Sequence, residues 1–475
     1  MLLRCFFIVC AAALVAPFAG CARYSSEPLT SEAVEKALAP PAADVLRVEA
    51  QEIKHPILKP VELTPDEGLS PDQAAVLAVL VNPSLRAKRD ERGIARAQLL
   101  QAGILPNPSL SLSLEPTLSG PDRGTGYGIG ASWDIASLIS RNARMDAASL
   151  HAESVDLDVA WEEWQTAQAA SSAVYARMAL EAQLAAACEV QGGLQENAAL
   201  VRQGVEKGLS TAVELAAADA AAQEAHATVL DLTQKLKKQK LELNALLGLP
   251  TDAEVKLHAG ITLPSRLELP AKDRLLEGLE DRRLDLIALK RGYESQDASV
   301  RAAVLSRFPR IDLGLDLARD TSNNVTLGPA ADIDLPIFDR NQGNIAIETA
   351  TRKQLFDEYA SRVFEARSDI AVALADIESL SEQIAAGEEA LPVLARLVDT
   401  YNKALSSGHV DILSYYEAKN DLAKKTIEVI GLRQELVKAW SALEIAAGEY
   451  LPGAASETQT PGVPLSPAVE STERQ

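Results

Sequence analysis

The sequence repeats itself once, at a separation far too long for a solenoid. Four positions recur at a constant offset of 201 residues, with Pro108, Leu110, Leu112 and Leu114 corresponding to Pro309, Ile311, Leu313 and Leu315. Gly248 and Gly448 mark the ends of the two copies. Solenoid repeats have periods of about 20–50 residues, so this is a duplicated, domain-sized unit. The duplication requires a fold with internal pseudo-symmetry.

Composition and charge exclude several classes of function. The 475-residue chain has 46 basic and 67 acidic residues, and its net charge of −21 disfavours nucleic acid as a partner. Apolar residues make up 47% but aromatic residues only 4%, which suits closely packed helices better than a thick globular core. Three of the four cysteines lie within the first 21 residues, which excludes a disulfide framework and a cysteine metal cluster.

The amino terminus has the pattern of an export signal. Residues 1–20 carry Arg4, an apolar stretch and a small-residue exit, and are too short to span a membrane comfortably. Phe18-Ala19-Gly20-Cys21 resembles a bacterial lipoprotein box, which predicts that Cys21 is lipidated and becomes the first mature residue. Cleavage by the ordinary signal peptidase near Ala22 is the alternative.

Composition then divides the rest of the chain. Residues 21–69 are rich in Pro, Glu and Ala, and are predicted to form a lipid-anchored, extended arm. Ser70, Pro71 and Gln73 form a helix start, with Ser70 as N-cap and Gln73 closing a capping box. The expected domains are a first repeat over 70–250, a linker over 251–270, a second repeat over 271–451 and a disordered tail over 452–475.

Each copy contains one predicted β-hairpin. Apolar and polar residues alternate over about 108–118 and 125–136 in the first repeat, and over about 309–319 and 325–336 in the second. Strands of about ten alternating residues are typical of outer-membrane barrels, although a soluble hairpin with one buried face would look similar.

Two long helical stretches follow each hairpin. They are predicted over about 142–206 and 211–247 in the first copy, and over about 345–406 and 411–447 in the second. A helix of about 40 residues extends about 60 Å, far more than an ordinary globular helix. Gly193 and Gly387 are candidate irregularities within the longer members.

Four strands cannot close a membrane barrel alone, because the smallest barrels have about eight. An open sheet would leave unpaired edges in lipid, which is prohibitive. Three chains that contribute four strands each would supply twelve strands, which is enough to close a barrel. Oligomerisation is therefore expected from the physics of the sheet.

Several motifs resemble the TolC-type outer-membrane efflux proteins, over about residues 70–451. They are Asn82-Pro83-x-Leu85, the run Leu105-Pro106-Asn107-Pro108, and the junction Leu335–Gly343. The Asp-Arg-Asn-Gln-Gly form of that junction is most similar to the heavy-metal efflux branch. Leu284 departs from the family, which usually has proline there.

The resemblance implies a mainly α fold with a membrane β-barrel. Four strands per chain would form a trimeric twelve-stranded barrel, continued by a long α-helical periplasmic tunnel. The chain would be the passive outer-membrane exit duct of a tripartite pump, without enzymatic activity or cofactor. Its partners would be two further copies of itself, a periplasmic adaptor, an inner-membrane transporter of the RND type and outer-membrane lipid.

The resemblance also assigns roles to two turns and a helix face. The turns between paired helices would be the periplasmic tips that dock the adaptor, formed by Lys207, Gly208, Leu209 and Ser210 in the first copy and by Gly408, His409, Val410 and Asp411 in the second. Glu417 aligns with an acidic position of the pore gate, and Ser414 replaces another usual aspartate. Three copies of Glu417 would form a carboxylate ring that attracts cations. A plain helical turn and a solvated glutamate are the alternatives.

Other motifs do not indicate chemistry. The glycine run Gly124–Gly130 lies in an alternating strand with no helix directly after it, so it is not a phosphate loop. The five histidines are scattered, and no metal site is predicted. A periplasmic helical-hairpin adaptor is the main rival interpretation, although adaptors lack the duplicated hairpins. The cargo is predicted to be divalent heavy-metal cations, with a multidrug duct of the same fold as the alternative.

Overall fold

Helices dominate the part of the chain that the computed structural model describes, which is residues 24–64, 67–119, 124–406 and 412–452. The chain divides into two units, residues 1–41 and 42–475. In the first unit, helix α1 (Ser31–Leu38) is capped by Thr30, whose hydroxyl accepts a hydrogen bond from the Ala33 amide. The predicted signal peptide, Cys21 and nearly all of the predicted tail lie outside the described residues.

The second unit contains the two copies of the repeat. Before and within the first copy are α2 (Ala43–Gln51), α3 (Pro71–Val81), α4 (Pro83–Gly103), β1 (Ser109–Pro116), β2 (Thr125–Asp134), α5 (Ser137–Glu206) and α6 (Ala212–Leu246). The second copy has the short helices α7 (Lys272–Leu276) and α8 (Leu279–Arg282), then α9 (Leu284–Leu305), β3 (Ile311–Arg319), β4 (Val325–Ile333), α10 (Gln342–Ser406) and α11 (Ile412–Ala447). A mainly helical fold with four strands from a duplicated unit is thus confirmed.

The sequence predicts an extended amino-terminal arm, but this segment contains the helices α1 and α2. His55 then fixes the following segment to α5, since its Nε2 donates to the Ala160 carbonyl at 2.9 Å. Its Nδ1 accepts hydrogen bonds from the amides of Ile57 and Leu58. Burial lowers the pKa of this imidazole, so His55 is held in its neutral form.

The four strands form one antiparallel sheet in the order β1-β2-β3-β4. The register aligns Leu112, Ile129, Leu317 and Leu327 across the four strands. Since partners across a ladder share a face, one face of the sheet is apolar. The opposite face carries Ser111, Ser113, Asp312, Asp316 and Asp332. Within the described residues, β1 and β4 are edge strands.

The two longest helices are α5, with 70 residues, and α10, with 65. Both are continuous, so the irregularities suggested at Gly193 and Gly387 do not occur. These glycines instead allow close packing, because a Cβ on Gly387 would lie 2.6 Å from Cγ2 of Val429 on α11. No helix within the described ranges is both long enough and apolar enough to cross a membrane.

The four long helices pack side by side in the order α10-α11-α5-α6. Ile370, Ile377 and Ile384 of α10 pack against Leu436 and other apolar residues of α11. Nearer the tips, buried residues of α5, α6 and α11 form one further cluster. Helices α6 and α10 are therefore the outermost members of this row.

The two helix entries are held in equivalent ways. Asn82 caps α4 and donates from Nδ2 to the Leu246 carbonyl at the end of α6, at 2.9 Å. Arg283 stands at the equivalent place before α9 and donates to the Ala446 carbonyl near the end of α11, at 3.3 Å. Arg283 provides no side-chain cap for α9 and instead pairs with Asp285 at 2.8 Å. The repeat is therefore preserved in the contacts of its junctions.

Candidate functional site

The first tip is a tight helical turn between α5 and α6. Gly208 adopts the left-handed conformation with φ +70°. The Leu209 amide donates to the Gly204 carbonyl at 2.8 Å, and the Gly208 amide donates to the Val205 carbonyl at 3.0 Å. These two bonds form a Schellman motif, which ends α5 at a position where glycine has no Cβ penalty. Thr211 then caps α6 through a capping box with Glu214.

The first tip exposes apolar side chains. Leu209 is 80% exposed and Val213 is 79% exposed, while Lys207 is exposed beside them and Ser210 is half-buried against Gly204. Val213 is not among the residues that the sequence motifs indicate, although a valine in the first turn of a helix after an exposed turn is a usable signal. An apolar tip with a flanking lysine is chemically suited to contact another protein.

The second tip lies largely outside the described residues. Gly408, His409, Val410 and Asp411 belong to the segment 407–411, which the structure does not describe. Helix α11 begins at Ile412, directly after this segment.

The predicted gate residues lie on the first turns of α11. Glu417 is exposed and Ser414 is half-buried. Tyr416 packs against the cluster formed by α5 and α6, with its ring edge-to-face on Tyr415 at 5.0 Å. Burial raises the pKa of Tyr416, with further contributions from Tyr415 and Glu196. The tyrosine pair therefore anchors the helix turn that presents the Glu417 carboxylate.

Two lysines of α11 tie this region to the helices of the first copy. Lys424 Nζ lies 2.8 Å from Glu224 Oε1 on α6. Lys419 extends across Gly193 of α5, where a Cβ would lie 2.8 Å from Nζ. The first turns of α11 are thus held by these polar contacts as well as by Tyr416, which packs against the cluster with α5 and α6.

The polar face of the sheet offers a hydrophilic surface along the strands. The side chains of Ser111 and Asp316 occupy the space beside Gly130 of β2 that a Cβ would otherwise fill. Arg310 neutralises Asp312 at 2.9 Å. The surface keeps more negative than positive side chains, which favours cations over anions.

A buried carboxylate fastens the end of α11 to α5. Glu444 accepts hydrogen bonds from Gln168 Nε2 at 2.8 Å, from Trp440 Nε1 at 3.2 Å and from the Leu451 amide at 3.0 Å. Burial raises its pKa to about 7, even though the three donors favour the ionised form. No sequence motif indicates a role for Glu444.

The Asp-Arg-Asn-Gln-Gly junction forms a structural turn. Asn341 has φ +60° and donates from Nδ2 to the Ala303 carbonyl at the end of α9, at 2.7 Å. Asp339 accepts from the Asn341 amide at 2.8 Å, and Gln342 accepts from the Arg340 amide at 2.6 Å. The polar side chains of this motif therefore fix the path from β4 into α10.

In the described part of the chain, no group of three or more His, Cys, Asp or Glu side chains could hold a metal ion. His226 Nδ1 is hydrogen-bonded to Gln191 Nε2 at 2.8 Å, and His258 Nδ1 accepts a hydrogen bond from the Gly260 amide.

Comparisons with known proteins agree with this architecture. A family model described as "Outer membrane efflux protein" matches residues 75–249 and 275–449, one segment in each copy of the repeat. The crystal structure of CusC superposes with a TM-score of 0.67 at 20% identity, covering 84% of this chain and 99% of CusC.

Two curated proteins are similar in sequence. "Cobalt-zinc-cadmium resistance protein CzcC" of Cupriavidus metallidurans is 24% identical over 409 residues, which cover 82% of this chain and 93% of CzcC. "Multidrug resistance outer membrane protein MdtQ" of Escherichia coli is 30% identical over 222 residues, which cover 44% of this chain and 46% of MdtQ.

Proposed function

The chain belongs to the outer membrane efflux protein family, and we propose that three copies of it form the exit duct of a tripartite efflux pump. The membership makes it an outer-membrane channel protein and not an enzyme. The observation that carries the proposal is the duplicated unit, in which each copy contributes one hairpin and two long helices.

The edges of the sheet support the trimer. The described sheet has four strands, one apolar face and two edge strands. Three such sheets supply twelve strands, enough to close a barrel with its apolar face toward lipid and its polar face toward water. A trimer also satisfies the edges that a single chain leaves unpaired.

The tips are the proposed docking surface for the periplasmic adaptor. In the first tip, the exposed Leu209 and Val213 would insert between adaptor side chains, with Lys207 at the rim. Gly408, His409, Val410 and Asp411 would form the second contact. The adaptor would connect the duct to an inner-membrane transporter of the RND type, while a lipid on Cys21 would anchor the amino terminus in the outer membrane.

The gate is proposed to lie at the first turns of α11. Three Glu417 carboxylates around a narrow pore would form a ring with affinity for cations, and Ser414 would leave a second level of the pore uncharged. The tyrosine pair Tyr415–Tyr416 supports this role, because it anchors the turn that carries both residues.

Divalent heavy-metal cations are the proposed cargo. The similarity to CzcC over most of both chains supports this assignment, since CzcC is named for cobalt, zinc and cadmium resistance. Multidrug export is the alternative, which the partial similarity to MdtQ favours. The acidic balance of the polar sheet face agrees better with cations than with anionic drugs.

Growth of a strain lacking this chain separates the two cargoes. The strain is exposed to cobalt, zinc, cadmium, nickel, copper and silver, and in parallel to hydrophobic drugs and dyes. Sensitivity to metals alone supports the proposal, and sensitivity to drugs alone contradicts it. Complementation with the intact chain must restore growth, whereas the double variant Leu209→Asp, Val213→Asp must fail to restore it while still reaching the outer membrane.

A further inference from the structure

The apolar face of the sheet carries one charged side chain within the described strands. The register aligns Arg319 of β3 with Tyr127 of β2 and Val325 of β4 on that face. The other strand residues on this face are apolar or aromatic, except for Thr125. An isolated cation among apolar side chains needs a partner of opposite charge or contact with water.

Arg319 lies at the end of the sheet that is remote from the helices. It is the last residue of β3, directly before the turn that leads to β4. Helices α4 and α5 adjoin the opposite end, where β1 begins and β2 ends. The helices of an outer membrane efflux protein lie in the periplasm, so the Arg319 end of the sheet faces the exterior of the cell.

Two aromatic side chains on the apolar face mark the levels of the membrane surfaces. Tyr127 is opposite Arg319, whereas Trp133 is opposite Leu313 and lies about 20 Å nearer the helices along β2. Tyrosine and tryptophan concentrate at the two membrane–water interfaces of outer-membrane strands. Arg319 is therefore at the outer interface, where a charged side chain on the lipid face costs little.

The Arg319 guanidinium is oriented by a ring and not by a carboxylate. Its Cζ lies 5.9 Å from the centroid of the Tyr127 ring, which is a cation–π contact. The neighbouring Asp320 carboxylate instead accepts hydrogen bonds from the Asn324 amide and from Asn324 Nδ2, both at 2.8 Å. The ion pairs of the described strands include Arg310 but not Arg319. The Arg319 guanidinium donors therefore remain available for a ligand.

The polar groups at this place suit a phosphate. A planar guanidinium binds two phosphate oxygens at once, which a lysine ammonium does not. Thr125 is exposed two residues from Tyr127 on the same face, and it is the diagonal neighbour of Arg319 across the ladder. The Cα atoms of such neighbours are about 7–8 Å apart, so the Thr125 hydroxyl is placed to donate to the same phosphate group.

The surroundings of Arg319 favour a phosphate that is attached to a lipid over a free one. Leu114, Val325 and Leu327 are exposed on the same face, within two positions of the Tyr127–Arg319 pair. Acyl chains that cover these side chains would hold a headgroup phosphate at the level of the guanidinium. The outer leaflet of an outer membrane presents phosphorylated glycolipid, which carries both groups.

We propose that Arg319, stacked on Tyr127, binds a phosphate group of a glycolipid in the outer leaflet of the outer membrane. Thr125 donates to the same phosphate, and the acyl chains lie on the apolar face below it. The site rests on the proposed barrel, because lipid reaches Arg319 only where the apolar face is turned outward. A trimer would carry three such sites.

Native mass spectrometry of the full-length trimer in detergent tests the site by counting bound lipid. The probe is bisphosphorylated lipid A, and dephosphorylated lipid A is the matched ligand control. Arg319→Gln should lower the affinity for the bisphosphorylated form by at least about tenfold and leave binding of the dephosphorylated form unchanged. Arg310→Gln removes the same charge from the polar face and should bind both lipids as the parent does.

The stacking contact is tested by two substitutions of Tyr127. Tyr127→Phe retains the ring and should keep the affinity for lipid A. Tyr127→Leu keeps an apolar side chain but loses the cation–π contact, so it should lower the affinity about threefold. Equal affinities in the two variants would contradict the orienting role of the ring.

Three outcomes would overturn the site while leaving the trimer intact. They are an unchanged affinity for lipid A in Arg319→Gln, displacement of lipid A by an equimolar concentration of inorganic phosphate, and tighter binding of phosphatidylglycerol than of lipid A. A parent protein that has the mass of one chain in the same measurement would instead overturn the barrel, and the site with it.

Discussion

At the scale of single residues, Asn244 and Glu444 occupy the same position in the two copies and fasten equivalent chain reversals. Asn244 donates to the carbonyls of Pro250 and Ala253, which follow α6. Glu444 accepts from the amide of Leu451, which follows α11. The clamp is conserved between the copies although the direction of its hydrogen bonds is reversed. Of these two residues, only Glu444 is ionisable.

Glu444 should make the stability of the protein depend on pH. Its pKa is raised from 4.5 to about 7 in the folded chain, so ionisation is costlier there than in the unfolded chain. Stability from this group is therefore complete below about pH 4.5 and is lost as pH rises through about 7, by at most about 3 kcal/mol. The thermal midpoint of Glu444→Gln should rise relative to that of the parent as the pH increases from 5 to 8.

The control for this prediction is Glu435→Gln, an exposed position of the same helix. The difference in thermal midpoint between this variant and the parent should stay constant with pH. A Glu444→Gln variant whose midpoint tracks the parent from pH 5 to pH 8 would show that the buried carboxylate does not titrate in this range.

Glu417 should govern the block of conductance by divalent cations. A carboxylate about 4 Å from a divalent cation in water contributes about 2 kcal/mol, so Glu417→Ala should weaken the block about 30-fold. The measurement is the blocking concentration of Co²⁺ or Zn²⁺ on channels in a planar bilayer. Glu428→Ala lies on the same helix about 16 Å further from the tip and should leave the block unchanged. An unchanged block in Glu417→Ala would remove this residue from the gate.

Residue roles were the least predictable part of the site. The exposed tip could be located from the repeated glycines, because Gly208 marks a left-handed turn after a long helix. Glu444 could not be identified, because Gln168 lies 276 residues away and only the packed helices bring them together. The Asp-Arg-Asn-Gln-Gly junction resembles the heavy-metal efflux branch in sequence. The hydrogen bond from Asn341 to the Ala303 carbonyl, however, is a contact of a structural turn.

At the scale of elements, periodicity predicted the long helices and the hairpins well. Helix α6 was expected over about 211–247 and spans Ala212–Leu246, and the Ser70 capping box is confirmed by its two hydrogen bonds with Gln73. Helices α1 and α2 were missed, because short helices in a Pro-rich segment give too few turns to show a period.

Gly387, in the second half of α10, sets how closely α10 and α11 approach. A Cβ on Gly387 would lie 2.6 Å from Val429 Cγ2, so Gly387→Ala should destabilise the protein by about 1–3 kcal/mol despite the higher helix propensity of alanine. Adding Val429→Ala should recover most of that loss, as measured by thermal unfolding in detergent.

Gly192→Ala is the matched control, because a Cβ there meets nothing within 4 Å. It should stabilise α5 by up to about 1 kcal/mol through helix propensity alone. Equal effects of the two glycine substitutions would refute close packing at Gly387.

At the scale of the whole molecule, the fold is incomplete in a regular way. The sheet has two edge strands, and the helical row has two free faces, one from each copy of the repeat. The alternating pattern predicts four strands per chain. Because four strands are too few to close a barrel, partner chains are expected from the sequence.

Conductance of the purified protein in a planar bilayer, with its mass measured in the same detergent, tests the central claim most directly. We expect the mass of three chains, discrete conductance steps and a preference for cations over anions. A protein that keeps the mass of one chain, or a trimer that inserts without conducting, would contradict the proposal that this chain forms an exit duct.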